Sequence, residues 1–406
     1  MRKAVPYTRR SFVTSSAATG AWLALGAPLL ARADDTVELP FANGSRQLAA
    51  YPQKRALLVM TTRPVQLETP FSVFDGNVFT PNYAFFVRWH LAGVPTTIDP
   101  VAFRLNVHGL VARPLSLTLR DLRHFPTVEV DAVCQCSGNS RGFFAPRVPG
   151  GQWGNGAMGN ARWRGARLRD ILRHAGVQSS AVQIRFRGLD APVEAGTPPF
   201  LKALDVDRAM SEDVIVAYEM NGEPLPLLNG YPVRLVVPGW YATYWVKMLS
   251  DIEAIDHVDD NFWMKTAYRI PATPGGNVDP AATGFATVPI NKLTIRSFIT
   301  NLTDGEKIAA KPTSVQGIAF NSGAGIKRVE FSSDGGTSWS DAALGRDYGN
   351  YAFRPWSTRF VPKAGTSYVL ACRATGNDGE TQTNLAVWNP GGYLRNVIET
   401  TKVSAA

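Results

Sequence analysis

The chain has 406 residues, 45% hydrophobic and 18% charged, a globular balance too long for one ordinary core and suited to two domains. Its formal charge of +9 shrinks when residues 1–33 are set aside: they hold five of the 42 basic residues and no acidic one, leaving 37 against 33, or +4. No basic stripe or basic low-complexity tail remains, which excludes a nucleic-acid footprint. Three cysteines, at 134, 136 and 372, are too few for a disulfide framework. Five scattered histidines form neither HExxH nor CxxCH, which excludes a zinc framework and covalently attached haem on this chain.

In chain order, residues 1–33 read as an export signal. Arg2, Lys3, Arg9 and Arg10 precede an apolar run from Ala17 to Leu30, and Ala31-Arg32-Ala33 offers a small-residue cleavage site. Gly26 and Pro28 break the run below the length of a bilayer span, so cleavage with no remaining membrane span is expected. Arg9-Arg10, followed by Ser11-Phe12-Val13, is similar to a twin-arginine signal, which predicts a folded, cofactor-loaded protein in the periplasm.

Residues 34–80 read as an irregular, turn-rich N-terminal arm. From 81 to 270 short strands mix with short helices. Thr127 to Cys136 predicts a strand with Val128, Val130, Ala132, Cys134 and Cys136 on one face. Arg167 to His174 predicts a helix closed by Gly176, and Tyr231 to Val237 a strand stopped by Pro238-Gly239. A Pro/Gly-rich linker is expected over 271–286. From 287 to 406 helical periodicity is gone: Ile326 to Ser333 leads into Asp334-Gly335-Gly336, a hairpin signal, and Ser367 to Ala374 alternates Tyr368, Leu370 and Cys372. The expected fold class is therefore α+β, a mixed α/β catalytic domain followed by an all-β immunoglobulin-like sandwich.

The segment Cys134-Gln-Cys136-Ser-Gly-Asn-Ser-Arg141 places a thiol where a strand ends and backbone amides turn outward, with Arg141 and Arg147 nearby to favour the metal-binding thiolate. It resembles the sulfite oxidase family of molybdenum enzymes, most of all the bacterial periplasmic sulfite dehydrogenases. The resemblance continues through Phe85-Phe-Val-Arg88-Trp-His90, Gly159-Asn-Ala-Arg-Trp163, Ala217-Tyr-Glu-Met-Asn-Gly222, Tyr231-Pro-Val-Arg234, Ser333-Asp-Gly-Gly-Thr-Ser-Trp339 and Trp388-Asn-Pro-Gly-Gly-Tyr393. It implies that Cys136 ligates the metal of a molybdenum-molybdopterin cofactor. It further implies that Phe86, Val87, Arg88 and His90 line the cofactor and substrate pocket, and that Asp190, Asn229, Arg234, Trp245, Val246 and Lys247 face the pterin. Asn229 stands where the animal enzymes have a histidine. Tyr268 matches the active-site tyrosine.

The implied substrate is sulfite, an oxyanion that a planar guanidinium grips through two parallel hydrogen bonds. Arg88 and Arg141 are the candidate anion-binding residues, with Arg354 from the second domain as a third. With no haem ligand in the N-terminal arm, the electrons are expected to pass to a c-type cytochrome or a haem subunit, in a homodimer or a heterodimer. Two alternatives stand beside this reading: a same-fold enzyme acting on sulfane sulfur or a sulfoxide, and a metal-free exported binding module.

Overall fold

The computed structural model describes residues 36–39, 44–49, 51, 53–55 and 57–406; the segment expected to be an export signal, residues 1–33, falls outside them. Residues 34–80 do not form the irregular arm expected from their turn residues. Strands Thr36–Leu39, Gly44–Ala49, Leu57–Thr62 and Val65–Glu68 form an antiparallel sheet, and Val87–Arg88 completes it as a fifth strand. The reason is burial: Leu57 and Leu67 pack with Val87, Trp89 and Met248 in a small core of their own. That partnership is set by residues far away in sequence, so local turn chemistry did not reveal it. It also fixes Arg88, whose backbone is in register with Gln66.

Two sheets dominate the mixed region. One runs Leu201–Asp205, Gln183–Gly188, Leu249–Ile255, Leu105–Gly109, Leu115–Leu117, with Leu249–Ile255 and Leu105–Gly109 parallel. The other runs Glu223–Pro224, Ile215–Met220, Met158–Arg167, Thr127–Gln135, and Arg234–Val236 adds to Ile215–Met220. Strand Thr127–Gln135 appears as its alternation predicts, paired with Met158–Arg167 along its whole length. It ends one residue before Cys136.

The helices are short. Leu119–His124 starts with a reciprocal capping box between Thr118 and Asp121. Leu168–Ala175 buries Leu168, Ile171, Leu172 and Ala175 and ends at Gly176, whose φ of +70° is left-handed. Among the described residues no helix is long and apolar enough to cross a membrane.

After Thr287–Pro289 the described elements are all strands. Sheet Arg296–Ile299, Thr313–Phe320, Arg354–Phe360, Ala343–Leu344 faces sheet Glu306–Ile308, Thr400–Ala405, Ser367–Gly376, Ile326–Ser332, Ser340–Asp341. Val315, Ala319 and Trp356 from the first meet Val329, Leu370, Cys372 and Val403 from the second in one core, which is the predicted sandwich. Cys372 is buried there, with burial pushing its thiol up to about 12, and is a packing residue. Phe298, Ile318, Phe320 and Phe353 belong instead to the core of the mixed region. The sandwich is thus welded to it by apolar packing.

Gly176→Ala would force a Cβ into the left-handed region, 3.0 Å from Ala112 Cβ. The expected loss is about 1–2 kcal/mol of stability. Denaturant unfolding should show it with the ligand-binding end of the molecule unchanged.

Candidate active site

The turn after strand Thr127–Gln135 is built around Cys136. Its N–H donates to Ala157 O (2.9 Å), its carbonyl accepts from Asn139 N (3.0 Å), and Asn139 Oδ1 accepts from Ala157 N (2.9 Å). A conformation held from both sides places Cys136 on the wall of a narrow cavity.

Fifteen residues line the cavity, including Phe86, Val87, Arg88, His90, Cys136, Asn229, Arg234, Lys247 and Tyr268 of the sequence-derived set. Arg88, Arg234 and Lys247 bring basic groups to the wall beside His90, and no carboxylate is among the lining residues. Arg234 lies between the rings of Trp163 and Trp245, its guanidinium carbon 5.0 and 5.6 Å from their centroids. It donates to the carbonyls of Asn229 (3.0 Å) and Trp245 (3.3 Å). Lys247 Nζ sits 4.4 Å from the centroid of the Trp89 ring. Burial, with Arg234 beside it, brings the Lys247 ammonium down to about 7, and Asp190 behind it pulls the other way. Burial in turn raises the Asp190 carboxyl, with Lys247 opposing.

Several polar atoms on this wall are buried with no hydrogen-bond partner in the protein: Arg88 Nη1, Arg234 Nε, Ser137 Oγ and Thr243 Oγ1. Buried donors of this kind are ordinarily paired. Unspent donors, an excess of positive charge and a poised thiol together fit an anionic cofactor bound through sulfur, as molybdopterin would be.

At the opposite edge, His90 Nε2 and Tyr268 OH lie 2.5 Å apart. Phe200 stacks on the imidazole, with centroids 3.7 Å apart. Burial first, then Arg88, Lys247 and Lys202, hold His90 well below its ordinary value, so the ring is neutral. Tyr268 has a left-handed φ of +59°, a conformation costly for an aromatic residue and a sign of imposed geometry. Burial pushes its phenol up, and Arg88 partly offsets this.

Arg141 does not line the cavity. Its Nε donates to Gly391 O (3.0 Å) and its guanidinium carbon lies 5.1 Å from the centroid of Tyr393, which stacks on Tyr268 at 5.9 Å. The guanidinium therefore stands against Tyr393, one ring removed from Tyr268 on the cavity wall. Its passage depends on glycine: a Cβ on Gly138 would stand 2.6 Å from the guanidinium carbon.

Arg354 is a correction. It is the first residue of strand Arg354–Phe360, its Nη1 lies 2.5 Å from Asp347 Oδ2, and it is not on the cavity wall. A nearer carboxylate has taken the guanidinium. Asn229 needs revision too: its Oδ1 accepts from Lys54 and its Nδ2 donates to Phe86 O (3.0 Å), so its amide ties protein segments together. Trp245, Val246 and Asp190 are buried behind the wall, Trp245 beneath Arg234 and Asp190 against Lys247.

Three residues went unremarked in the sequence. Lys54 is buried, donating to the carbonyls of Asn82 (2.6 Å) and Phe85 (3.0 Å), and burial with Arg234 nearby brings it down to about 7. Lys202 donates to Trp263 O (2.8 Å), faces the rings of Tyr244 and Tyr268, and is likewise brought to about 7 by burial. Its signal was present: one lysine inside the apolar run Phe200-Leu-Lys-Ala-Leu204. Tyr393 was quoted within a motif but given no role.

Comparison with known proteins follows this geometry closely. The oxidoreductase molybdopterin binding domain family matches residues 90–263, and the Mo-co oxidoreductase dimerisation domain family matches 287–405. The two matches fall on the mixed region and on the sandwich in turn. It is 35% identical over 360 residues to mitochondrial sulfite oxidase of Homo sapiens, covering 84% of this chain and 64% of that one. Against sulfite oxidase of Gallus gallus it is 34% identical over 361 residues, covering 84% and 77%. The chain belongs to the sulfite oxidase family, and spans 64% of the length of its human relative. Its fold also matches the crystal structure of the sulfane dehydrogenase SoxCD from Paracoccus pantotrophus, with a TM-score of 0.73 and 25% identity over 85% of each chain.

Two outcomes are expected here. Gly138→Ala meets the movable end of a side chain, so the protein should fold normally while Arg141 is displaced, seen as a crystallographic shift of its guanidinium. Separately, Lys54, Lys202 and Lys247 each release their proton near pH 7 when folded but only near 10.5 when unfolded. The unfolded chain then holds more protons between those values, so the cofactor-free protein should gain stability as pH rises from about 7 to 10. Denaturant midpoints at the two ends of that window test it, and Lys202→Met should make the rise smaller.

Proposed function

We propose that this protein oxidises sulfite to sulfate at a molybdenum-molybdopterin centre and passes the two electrons singly to an external c-type cytochrome or haem subunit. The observation that carries the reading is the cavity wall: the Cys136 thiol together with unpartnered donors and three cationic side chains, with no carboxylate opposing them. Cys136 would hold the metal. Arg234, Lys247, Ser137 and Thr243 would hold the pterin and its anionic tail. When bound, the cofactor supplies the two-electron oxidation that converts sulfite and water to sulfate, two protons and two electrons.

The chain's own residues do the rest. Arg88, with Nη1 free of protein partners, presents a guanidinium edge to an oxyanion. Arg141, one ring removed from the cavity wall, adds a further positive charge that draws the anion inward. Neutral His90 fixes the Tyr268 hydroxyl, which stays protonated because of its burial and can donate to a substrate oxygen. Phe200, Trp263 and Tyr393 crowd this edge and limit water. The twin-arginine-like leader supports action in the periplasm after export of the loaded protein. The matched dimerisation family supports a homodimer or a heterodimer with a haem subunit.

A second reading, oxidation of another sulfur compound, has two observations in its favour. The solved relative is a sulfane dehydrogenase, and Arg354 does not join the anion pocket. Mixing purified protein with sulfite and oxidised cytochrome c separates the readings. Rapid haem reduction is expected, abolished in Cys136→Ser together with its molybdenum. Arg88→Met should lower kcat/KM by about a hundredfold with the metal retained. A molybdenum-loaded protein that sulfite fails to reduce would leave the second reading in place.

A further inference from the structure

Outside the cavity, the most fully enclosed cation is Arg296, the first residue of strand Arg296–Ile299 in the sandwich. Its side chain is 0% exposed and reaches into the mixed region. Nη1 donates to Ser140 Oγ at 2.7 Å, and Nη2 donates to Glu399 Oε1 at 2.8 Å. The Ser140 hydroxyl donates to Asn155 Oδ1 at 2.5 Å, and Glu399 is held in turn by Arg395. A chain of polar groups therefore runs from Glu399, just before strand Thr400–Ala405, to the turn that follows Cys136.

Ser140 is not an ordinary anchor point. It adopts a left-handed φ of +69°, uncommon for a residue other than glycine, asparagine or aspartate. Such a conformation persists when its surroundings over-determine it. Ser140 N also donates to Gly154 O at 2.7 Å, so backbone and side chain are gripped from different directions. The next residue is Arg141, and its far end is held by Gly391 O, again from the C-terminal part of the chain. One residue is clamped by Arg296, and its neighbour by Gly391.

An arginine buried to this degree is a poor source of stability, since desolvation offsets much of the gain from its carboxylate. A guanidinium does something a packed apolar side chain cannot: its fixed fork sets two acceptors at a defined separation. Here the two close acceptors are Glu399, in the sandwich, and Ser140, beside Arg141, with Asn155 Oδ1 a longer third at 3.5 Å from Nη2.

We infer that Arg296 is a positioning residue of the active site, fixing the Ser140 backbone so that Arg141 holds its guanidinium against Tyr393, one ring removed from the cavity wall. This rests on the oxyanion reading of the site only for its effect on turnover; the geometric claim is independent of it. The sandwich then acts as one jaw of the substrate-binding apparatus in addition to any role in assembly.

The test uses the full chain and two variants. Ser140→Ala removes only the hydroxyl that Arg296 grips, and Arg296→Met removes the clamp at its source. Crystal structures of both should show the Arg141 guanidinium displaced and its bond to Gly391 O broken, with Arg296→Lys restoring it in part. In the molybdenum-loaded proteins KM for sulfite should rise about ten- to a hundredfold with kcat nearly unchanged, the pattern of lost anion binding. Should Arg296→Met fail to fold, Ser140→Ala decides alone. A folded variant that keeps Arg141 bonded to Gly391 overturns the inference, even if its melting temperature has fallen. If wild-type protein does not oxidise sulfite, the proposed function fails, and the crystallographic comparison still decides the role of Arg296.

Discussion

Positive charge gathered where water is scarce governs this structure. Arg88, Arg234 and Lys247 face one cavity, with Lys54 and Lys202 buried at its margins, and the wall carries no carboxylate to neutralise them. The protein compensates with weaker means. Carbonyl oxygens of Asn82, Phe85, Asn229, Trp245 and Trp263 accept from these cations, and the faces of Trp89, Trp163, Trp245 and Tyr244 lie against them. Such groups soften the repulsion without cancelling it, because dipoles and ring quadrupoles, helped by Asp190 near Lys247 and Asp259 near Lys202, oppose full charges. An anion of matching shape completes the balance.

That requirement explains much of the surrounding scaffold. Loop carbonyls can serve the cations only if the loops are rigid, and each is pinned by strands or by large buried rings. The N-terminal sheet holds Arg88 through its pairing with Gln66 and delivers Glu68, whose carboxylate receives the N–H groups of Gly154 (3.1 Å) and Gly156 (2.8 Å). Burial raises the Glu68 carboxyl to about 7, and those amide bonds restrain the rise. An acid is thus used where it can brace a loop, away from the cavity wall.

Much of this was legible in the sequence, for reasons that differ by residue. Strand Thr127–Gln135 and helix Leu168–Ala175 followed from local periodicity and a terminal glycine, because their own neighbours bury them. Cys136, Arg88, His90 and Tyr268 were found because each sits in a run of residues with a recognisable pattern. Lys54 and Lys202 escaped because their significance is tertiary: each is an isolated lysine whose acceptors lie 28 to 175 residues away. Arg354 failed in the opposite direction. An arginine of suitable type in the second domain was credited with reach, and its partner Asp347, only seven positions earlier, claimed it. The N-terminal strands were missed because the pairing of Val65–Glu68 with Val87–Arg88 crosses turns whose composition suggested an irregular arm.

The hold of Gly391 on Arg141, with Tyr393 against the guanidinium, joins segments 250 residues apart in sequence. Strand Thr400–Ala405, a few residues further on, is tied in by pairing with Ser367–Gly376 and Glu306–Ile308. The thiol-bearing turn therefore cannot take its described surroundings until the sandwich has packed against it, so folding of the two parts is coupled at this point.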